Sequence, residues 1–297
     1  MNLNFPSKIT KISSNFLHQK QVEIFIKRDD VIHPIISGNK WRKLKYNFQA
    51  AADEGYDTIL SFGGVFSNHL HALSYACNYF GFGSIGVVRD TDQKKETSTL
   101  SFCKKNKMKL YYLDRNQYRQ KKSIHIINLL KKEFGKFYLI PEGGNNLLGL
   151  KGCQEIFDEI DIDYDYLCSP VGTGCTAAGL IKSMKNNKKF IGFAPFKKTI
   201  EQSKNIKNFC DFQLYNNWEL ISDIHFGGFG KIDSNLIKFV RHFKSDFNME
   251  LDLIYTGKLF YSLFNMIKNN AFDKRTKILV IHTGGLQGLN GFNFSYS

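Results

Sequence analysis

Short apolar runs alternate with segments of helical pattern along almost the whole chain, and this alternation constrains the fold more than any other feature. Eight runs are typical of buried strands: Val22–Lys27, Thr58–Phe62, Ser84–Val88, Lys109–Leu113, Lys136–Ile140, Tyr164–Ser169, Phe190–Ala194 and Lys277–His282. Seven helical patterns lie between them: His69–Phe80, Ser98–Asn106, Ser123–Phe134, Leu148–Asp158, Thr176–Lys185, Ser234–Phe247 and Lys258–Asn269. Such alternation predicts an α/β fold of βαβ units, with ligands at the carboxyl ends of parallel strands.

Glycine clusters follow four of these strands. They are Gly63-Gly64, Gly143-Gly144, the pair Gly172 and Gly174, and Gly284-Gly285. Glycine at a strand-to-helix turn lets backbone N–H groups approach an anion closely. One such turn could be simple turn chemistry, but four together indicate a ligand-binding rim.

The most specific of these turns is Val171–Thr176, directly after the strand that ends at Ser169. Successive N–H groups and two threonine hydroxyls at the start of a helix suit a phosphate group. The string is neither a Walker A loop nor G-x-G-x-x-G. The alternative interpretation is a tight turn with a threonine cap.

A second candidate is Lys40, which follows the turn Gly38-Asn39 at the start of a basic helical segment. A lysine that such a turn holds inward, in a partly desolvated pocket, has a lowered pKa and can act as a Schiff-base nucleophile. Lys43 lies about one helical turn further on. The alternative is a solvated, basic helix start.

The segment Ser61–His71 again has strand, glycines and helix in sequence. Ser67 or Asn68 can cap that helix, and the first N–H groups of the helix can hold a carboxylate. His69 and His71 are two residues apart and do not share a helix face, so we expect no metal site. The absence of G-x-S-x-G disfavours a serine hydrolase.

Composition excludes several other classes. A chain of 297 residues is long enough for two domains, and no apolar stretch is long enough to predict a membrane span. A net charge of +14 is typical of some nucleic-acid-binding proteins. Such proteins cluster their basic residues, whereas the lysines here are spread along the chain, so we expect no nucleic-acid binding. The N-terminus lacks a signal-peptide pattern and the six cysteines are scattered, which predicts a reduced, cytoplasmic protein.

Seven motifs together resemble the 1-aminocyclopropane-1-carboxylate deaminase / D-cysteine desulfhydrase family of fold-type-II enzymes, which depend on pyridoxal 5′-phosphate (PLP). They are IKRDD (26–30), SGNKWRKLKY (37–46), SFGGVFSNH (61–69), PEGGNN (141–146), VGTGCTAAG (171–179), IYTGK (254–258) and HTGGLQG (282–288). They occur in the order of the family and cover nearly the whole chain. The resemblance implies an enzyme with PLP as its cofactor and a small amino acid as its substrate.

The resemblance also implies the residues that bind the cofactor and the substrate. Lys40 would form the Schiff base with PLP and act as the general base, and Lys43 would reach the phosphate. The phosphate would be bound by Thr173, Gly174, the backbone of Cys175 and Thr176.

On the ring side, the resemblance implies that Asn68 hydrogen-bonds the ring hydroxyl. Ser67 would bind the substrate carboxylate or help proton transfer, and Tyr255 would line the substrate pocket. Either Thr256 or Thr283 would meet the pyridine nitrogen.

The implied architecture is two three-layer open-sheet α/β domains, similar to the tryptophan synthase β-subunit fold. Residues 44–140 would form a small domain inserted into a large one made of 1–43 and 141–297. PLP would lie in the cleft between them, and the protein would be a homodimer.

Relatives that open the cyclopropane ring carry glutamate at the position of Thr256, whereas those similar to D-cysteine desulfhydrase carry threonine. Thr256 therefore favours β-elimination to pyruvate and ammonia over ring opening to 2-oxobutanoate and ammonia. Two departures weaken any transfer of specificity: Phe229 stands where many relatives have tyrosine, and Phe66 where ring-opening relatives have a polar residue. Phe229 also raises a third hypothesis, a PLP-binding protein with little turnover.

Overall fold

A computed structural model describes residues 1–90, 96–211 and 214–292, together with Phe294 and Tyr296. The strands are β1 (Ile9–Ile12), β2 (Glu23–Lys27), β3 (Thr58–Gly64), β4 (Gly83–Arg89), β5 (Lys109–Leu113), β6 (Tyr138–Ile140), β7 (Tyr166–Pro170), β8 (Lys189–Phe193), β9 (Trp218–Ile221) and β10 (Lys277–Ile281). The helices are α1 (Asn15–Lys20), α2 (Asn39–Asp53), α3 (Asn68–Phe80), α4 (Ser98–Lys105), α5 (Arg115–Arg119), α6 (Ile124–Phe134), α7 (Leu147–Gln154), α8 (Cys175–Ser183), α9 (Ile200–Phe209), α10 (Ser234–Phe247) and α11 (Thr256–Lys268).

The strands form two open sheets. The larger sheet has the order β1-β2-β10-β7-β8-β9, in which only β1 is antiparallel to its neighbour, and the smaller sheet has the parallel order β5-β4-β3-β6. The α/β class predicted from the sequence is confirmed. The smaller sheet draws all its strands from residues 58–140, while the domain boundaries at 43/44 and 140/141 stay a prediction.

Both faces of each sheet are buried. In β10, Ile278 and Val280 join one apolar cluster with α10 and α11, whereas Leu279 and Ile281 join another with α8. Alternate residues of a strand point to opposite faces, so helices cover both sides of the larger sheet. The smaller sheet is also covered on both faces, since the neighbouring residues Ile59 and Leu60 of β3 belong to two different apolar clusters.

All eight predicted strands are present, and seven helices match the predicted helical patterns. The largest boundary error is in α7, which ends at Gln154 rather than Asp158, whereas the other predicted ends differ by at most two residues. After α7 the chain forms a separate 3₁₀ turn at Phe157–Glu159, which places the Glu159 carboxylate against Arg42. The edge strands β1 and β9 and the helices α1, α5 and α9 were not predicted. They are short, and most of their side chains are at least partly exposed, so the apolar periodicity is weak.

The helix that carries Lys40 and Lys43 packs closely against α7, which packs in turn against α8. A Cβ on Gly152 of α7 would lie 1.7 Å from the backbone oxygen of Arg42, and one on Gly179 of α8 would lie 2.8 Å from Cβ of Cys153. Glycine at these contacts therefore lets α2, α7 and α8 approach closely. This packing fixes Lys40 and Lys43 relative to the start of α8.

Within the described ranges, no helix combines the length and apolar character needed to cross a membrane.

Candidate active site

Lys40 lies in the first turn of α2, two residues after Gly38, at which a side chain would clash with the backbone. Gly38 has a φ of +65°, and a Cβ there would lie 1.8 Å from the backbone oxygen of Thr283. Lys40 Nζ donates to Asn39 Oδ1 at 2.5 Å, and Asn39 Nδ2 donates to Thr176 Oγ1 at 2.9 Å. The lysine is thereby connected to the start of α8.

The pKa of Lys40 is lowered to about 7, mainly because burial disfavours the ammonium and also because Lys43 repels it. The charges of Cys153 and Asp252 act in the opposite direction but are smaller influences. A lysine with this pKa is about half neutral amine at pH 7, whereas an ordinary lysine is almost fully protonated there. It can therefore attack an aldehyde or accept a proton from a carbon acid.

The turn between β7 and α8 forms an anion-binding cradle. Gly174, with a φ of +96°, precedes α8, and the first N–H groups of that helix have no partner within the helix. Thr176 accepts a hydrogen bond from Asn39, so its own hydroxyl proton is available to a ligand. Lys43 Nζ donates one hydrogen bond to the Gly143 backbone oxygen at 3.0 Å, which leaves its other N–H groups available.

Unpartnered polar atoms mark the same region. The buried Thr173 Oγ1, Asn145 Oδ1 and His69 Nδ1 have no hydrogen-bond partner among the residues that the structure describes. Buried polar groups are nearly always satisfied in native proteins, so such a group needs an explanation. A bound phosphate suits the Thr173 hydroxyl, the start of α8 and Lys43, and the donor set therefore fits PLP.

The start of α3 supplies a second set of donors. Ser67 caps this helix by accepting from the Leu70 backbone N–H at 3.2 Å, so its hydroxyl proton is available to a ligand. Asn68 Oδ1 accepts from Gln287 Nε2 at 2.7 Å. The helix start, with its positive end and free N–H groups, suits a carboxylate.

His69 lies between this helix start and the two lysines. Its Nε2 lies 2.9 Å from Ser61 Oγ, which donates to the Ile140 backbone oxygen, so we assign the ring proton to Nε2. Burial, Lys43 and Lys40 lower the pKa of His69 to about 3. The ring is therefore neutral, and its Nδ1 can only accept a hydrogen bond.

Asp252 organises the start of α11. Its carboxylate accepts from the backbone N–H groups of Ile254, Tyr255 and Thr256, and from the Thr256 hydroxyl at 2.7 Å. The Thr256 hydroxyl oxygen also accepts from the Asp252 backbone N–H. Thr256 is therefore held within a local network and has no further proton to donate.

Three aromatic rings form a wall beside this helix. Phe229 and Phe196 are stacked at 5.3 Å between centroids, and Phe229 meets Tyr255 edge-on at 6.0 Å. The Tyr255 hydroxyl is close to the cradle, since a Cβ on Gly172 would lie 3.3 Å from it. Burial raises the pKa of Tyr255, so the phenol is neutral. Phe229 is 52% exposed, and Phe66, near the start of α3, is 50% exposed.

The glycine turns bring all of these segments together. The turn at Thr283 lies against Gly38, and a Cβ on Gly285 would lie 2.7 Å from Asn68 Nδ2. A Cβ on Gly144 would lie 3.0 Å from Cβ of Lys43. The predicted site residues thus lie on segments in mutual contact, although their individual roles stay predictions.

Four residues of this arrangement were not identified from the sequence as site residues: Asn39, His69, Asp252 and Gln287. The motif strings contain Asn39, His69 and Gln287, but no spacing indicates which side chains they bind. Asp252 lies outside every motif quoted above. No group of three or more potential metal ligands occurs among the described parts of the chain.

Comparison with known proteins gives a consistent result. The model of the family described as pyridoxal-phosphate dependent enzymes matches residues 7–284. A Pyrococcus abyssi protein, provisionally named 1-aminocyclopropane-1-carboxylate deaminase, is 29% identical over 285 residues, which are 90% of this chain and 86% of the relative. A mitochondrial protein of Arabidopsis thaliana, named bifunctional D-cysteine desulfhydrase/1-aminocyclopropane-1-carboxylate deaminase, is also 29% identical, over 90% of this chain and 73% of the relative.

Two solved structures of similar fold are consistent with the family match. The crystal structure of a homologue of that deaminase superposes with a TM-score of 0.85 at 27% identity, covering 97% of this chain and 92% of the other. A hydrogen sulfide-producing enzyme from Fusobacterium nucleatum has a TM-score of 0.68 at 18% identity, covering 95% and 96%, and this likeness concerns the fold alone.

Proposed function

From the premise that this chain belongs to the pyridoxal-phosphate-dependent enzyme family, we propose that it is a lyase that eliminates the β-substituent of a small amino acid such as D-cysteine. The observation that carries the proposal is Lys40, whose pKa of about 7 and whose connection through Asn39 to the cradle suit a Schiff-base lysine. When bound, PLP supplies an electron sink that acidifies the substrate Cα–H bond.

The phosphate of the cofactor would be held by the cradle. The Thr173 and Thr176 hydroxyls, the N–H groups of Gly174 and Cys175, and Lys43 would donate to it. Hydrogen bonds to a charged phosphate are about twice as strong as neutral ones. The cradle therefore fixes the position of the cofactor relative to Lys40.

Thr283 is the better candidate for the pyridine nitrogen. The Thr256 hydroxyl already donates to Asp252, whereas the hydroxyl of the buried Thr283 has no hydrogen-bond partner within the described ranges. A hydroxyl there, rather than a carboxylate, leaves the ring nitrogen without a charge that would keep it protonated. This arrangement favours β-elimination, which needs a weaker electron sink than ring opening.

The substrate carboxylate would bind at the start of α3, where Ser67 and backbone N–H groups can donate. Asn68 would bind the ring hydroxyl, and Tyr255 would line the pocket. The freed Lys40 amine would then take the proton from Cα. With D-cysteine and water as substrates, the products would be pyruvate, ammonia and hydrogen sulfide.

A second candidate activity is ring opening of 1-aminocyclopropane-1-carboxylate to 2-oxobutanoate and ammonia, which the names of the relatives favour. The aromatic wall of Phe196, Phe229 and Tyr255 would accept a small apolar ring. A binding protein with little turnover is the third candidate, because Phe229 lacks the hydroxyl of many relatives.

The deciding experiment uses steady-state kinetics with D-cysteine, L-cysteine, β-chloro-D-alanine and the cyclopropane amino acid. We expect a higher kcat/KM for pyruvate release from the D-amino acids than for 2-oxobutanoate release. A faster ring opening would refute the substrate assignment, and no ketoacid from any substrate would favour the binding protein. We further propose that the enzyme acts as a homodimer in the cytoplasm, which size-exclusion chromatography and cell fractionation would test.

A further inference from the structure

We propose that Gln287 is a positioning residue that fixes the Asn68 side chain so that its NH₂ group, and not its oxygen, faces the cofactor. The inference rests on the role proposed above for Asn68. Gln287 lies in the 3₁₀ segment Leu286–Phe292, which packs against α4.

The contact between the two amides is direct. Gln287 Nε2 donates to Asn68 Oδ1 at 2.7 Å, and the two residues come from distant parts of the chain. An amide oxygen can only accept and an amide nitrogen can only donate. As long as Gln287 offers its NH₂ group, Asn68 must turn its oxygen toward it and its own NH₂ group away.

The freed NH₂ group of Asn68 faces the glycine turn beside Thr283. A Cβ on Gly285 would lie 2.7 Å from Asn68 Nδ2, so only a glycine at this point leaves room for the amide. No hydrogen-bond partner of Asn68 Nδ2 occurs in the described part of the chain. The nitrogen therefore has a donor to offer a ligand.

The orientation has a chemical consequence. An NH₂ donor stabilises a deprotonated hydroxyl on the cofactor ring, whereas an amide oxygen in the same place would destabilise it. Losing the contact with Gln287 would let the Asn68 amide turn over. We therefore expect Gln287 to lower the pH at which the bound cofactor changes its protonation state, and to strengthen cofactor retention.

The test follows the visible absorption band of the full-length holoenzyme as a function of pH. In Gln287→Met, which removes the donor, we expect the midpoint of the band to rise by about half to one pH unit and cofactor loss on dilution to increase about three- to tenfold. Gln287→Glu should have the larger effect, because its carboxylate accepts from Asn68 and imposes the reversed orientation. Gln49→Met is the matched control, since the Gln49 amide donates to Asp53 on an exposed surface.

The decisive comparison repeats both substitutions in an Asn68→Ala background. If Gln287 acts through Asn68, the shifts disappear there, whereas a general structural effect would persist and would overturn the proposal. Wild-type behaviour of both Gln287 variants, with a shifted band in Asn68→Ala, would overturn the proposal for Gln287 alone. An unchanged band in Asn68→Ala would refute the role proposed for Asn68 as well. Should Gln287→Met fail to fold, Gln287→Leu, which also lacks the donor, gives the same comparison.

Discussion

Replacing Thr176 with valine tests the cradle most directly, because the two side chains have nearly the same shape and only the hydroxyl is lost. In the structure this hydroxyl accepts from Asn39 Nδ2 at 2.9 Å and from Cys153 Sγ at 3.6 Å, and Thr176 is 4% exposed. Its remaining proton is available to the cofactor phosphate. The substitution therefore removes two separate contributions.

The two contributions appear in different measurements. A hydrogen bond to a charged phosphate contributes about 1.5–3 kcal/mol, so the affinity for PLP should fall about 10- to 150-fold. In the valine variant the Asn39 amide loses its hydrogen-bond partner whether or not the cofactor is bound. Leaving this buried donor unsatisfied should lower the free energy of unfolding of the cofactor-free protein by about 1–3 kcal/mol.

The assays are titration of cofactor-free protein with PLP and urea unfolding without PLP. Thr176→Ser keeps the hydroxyl and should retain an affinity within about threefold of the wild type, since it changes only one methyl group. An unchanged affinity in Thr176→Val would show that Val171–Thr176 is only a turn. Equal losses in the valine and serine variants would point to packing instead of the hydroxyl.

Four further outcomes are expected. Lys40→Ala should abolish the visible absorption band of the bound cofactor and turnover while the circular dichroism spectrum stays unchanged; a borohydride-reducible adduct at another lysine in the wild type would refute this. Because the ammonium of Lys40 loses its proton near pH 7, the rate of PLP capture by the cofactor-free protein should rise about tenfold between pH 6 and pH 8 and then level off; a continued tenfold rise per pH unit to pH 10 would indicate an ordinary lysine. Arg42→Met should lower the free energy of unfolding, measured in urea, by about 3–5 kcal/mol, because the fully buried Asp29 carboxylate loses its two guanidinium hydrogen bonds. Adding Asp29→Asn to this variant removes the unpaired charge and should restore part of the lost stability. Thr283→Val should weaken PLP binding about three- to tenfold, whereas Thr256→Val should mainly lower the free energy of unfolding; the reverse pattern in PLP titration would assign the pyridine nitrogen to Thr256.

The parts of the site that could be predicted from the sequence are those in which neighbouring residues in the chain act together. The turn Val171–Thr176 is a single backbone segment, so its letters alone indicated an anion site. Lys40 was a candidate for the same reason, because Gly38-Asn39 precedes it directly, but its role as the Schiff-base lysine came from the resemblance and stays a prediction. Strand β10, which is buried on both faces, gave a continuous apolar run at 278–281.

The remaining features depend on contacts between distant segments. Neither the hydrogen bond between Gln287 and Asn68 nor the one between Asn39 and Thr176 leaves any periodicity in the sequence. The hydrogen bond from the Thr256 hydroxyl to the Asp252 carboxylate joins residues close in the chain. An aspartate four residues before a threonine is nevertheless too common a pattern to predict it. The sequence therefore left Thr256 and Thr283 as equal candidates for the pyridine nitrogen, and the hydrogen bonds of Thr256 to Asp252 are the reason why we propose Thr283.

The contact between the turns at Gly38 and Thr283 also determines when the protein can become active during its synthesis. Lys40 is synthesised well before the backbone of Thr283 that completes its turn, because Thr283 lies far downstream in the sequence. The neighbouring strand β2 likewise waits for β10, with Ile24 opposite Ile278. Contacts between residues that are far apart in sequence form slowly, because closing the long intervening chain costs entropy before the contacts stabilise it. A nascent chain that ends before β10 should therefore contain its reactive lysine and yet be unable to capture the cofactor, so the cell would not accumulate half-made chains with a functional amine.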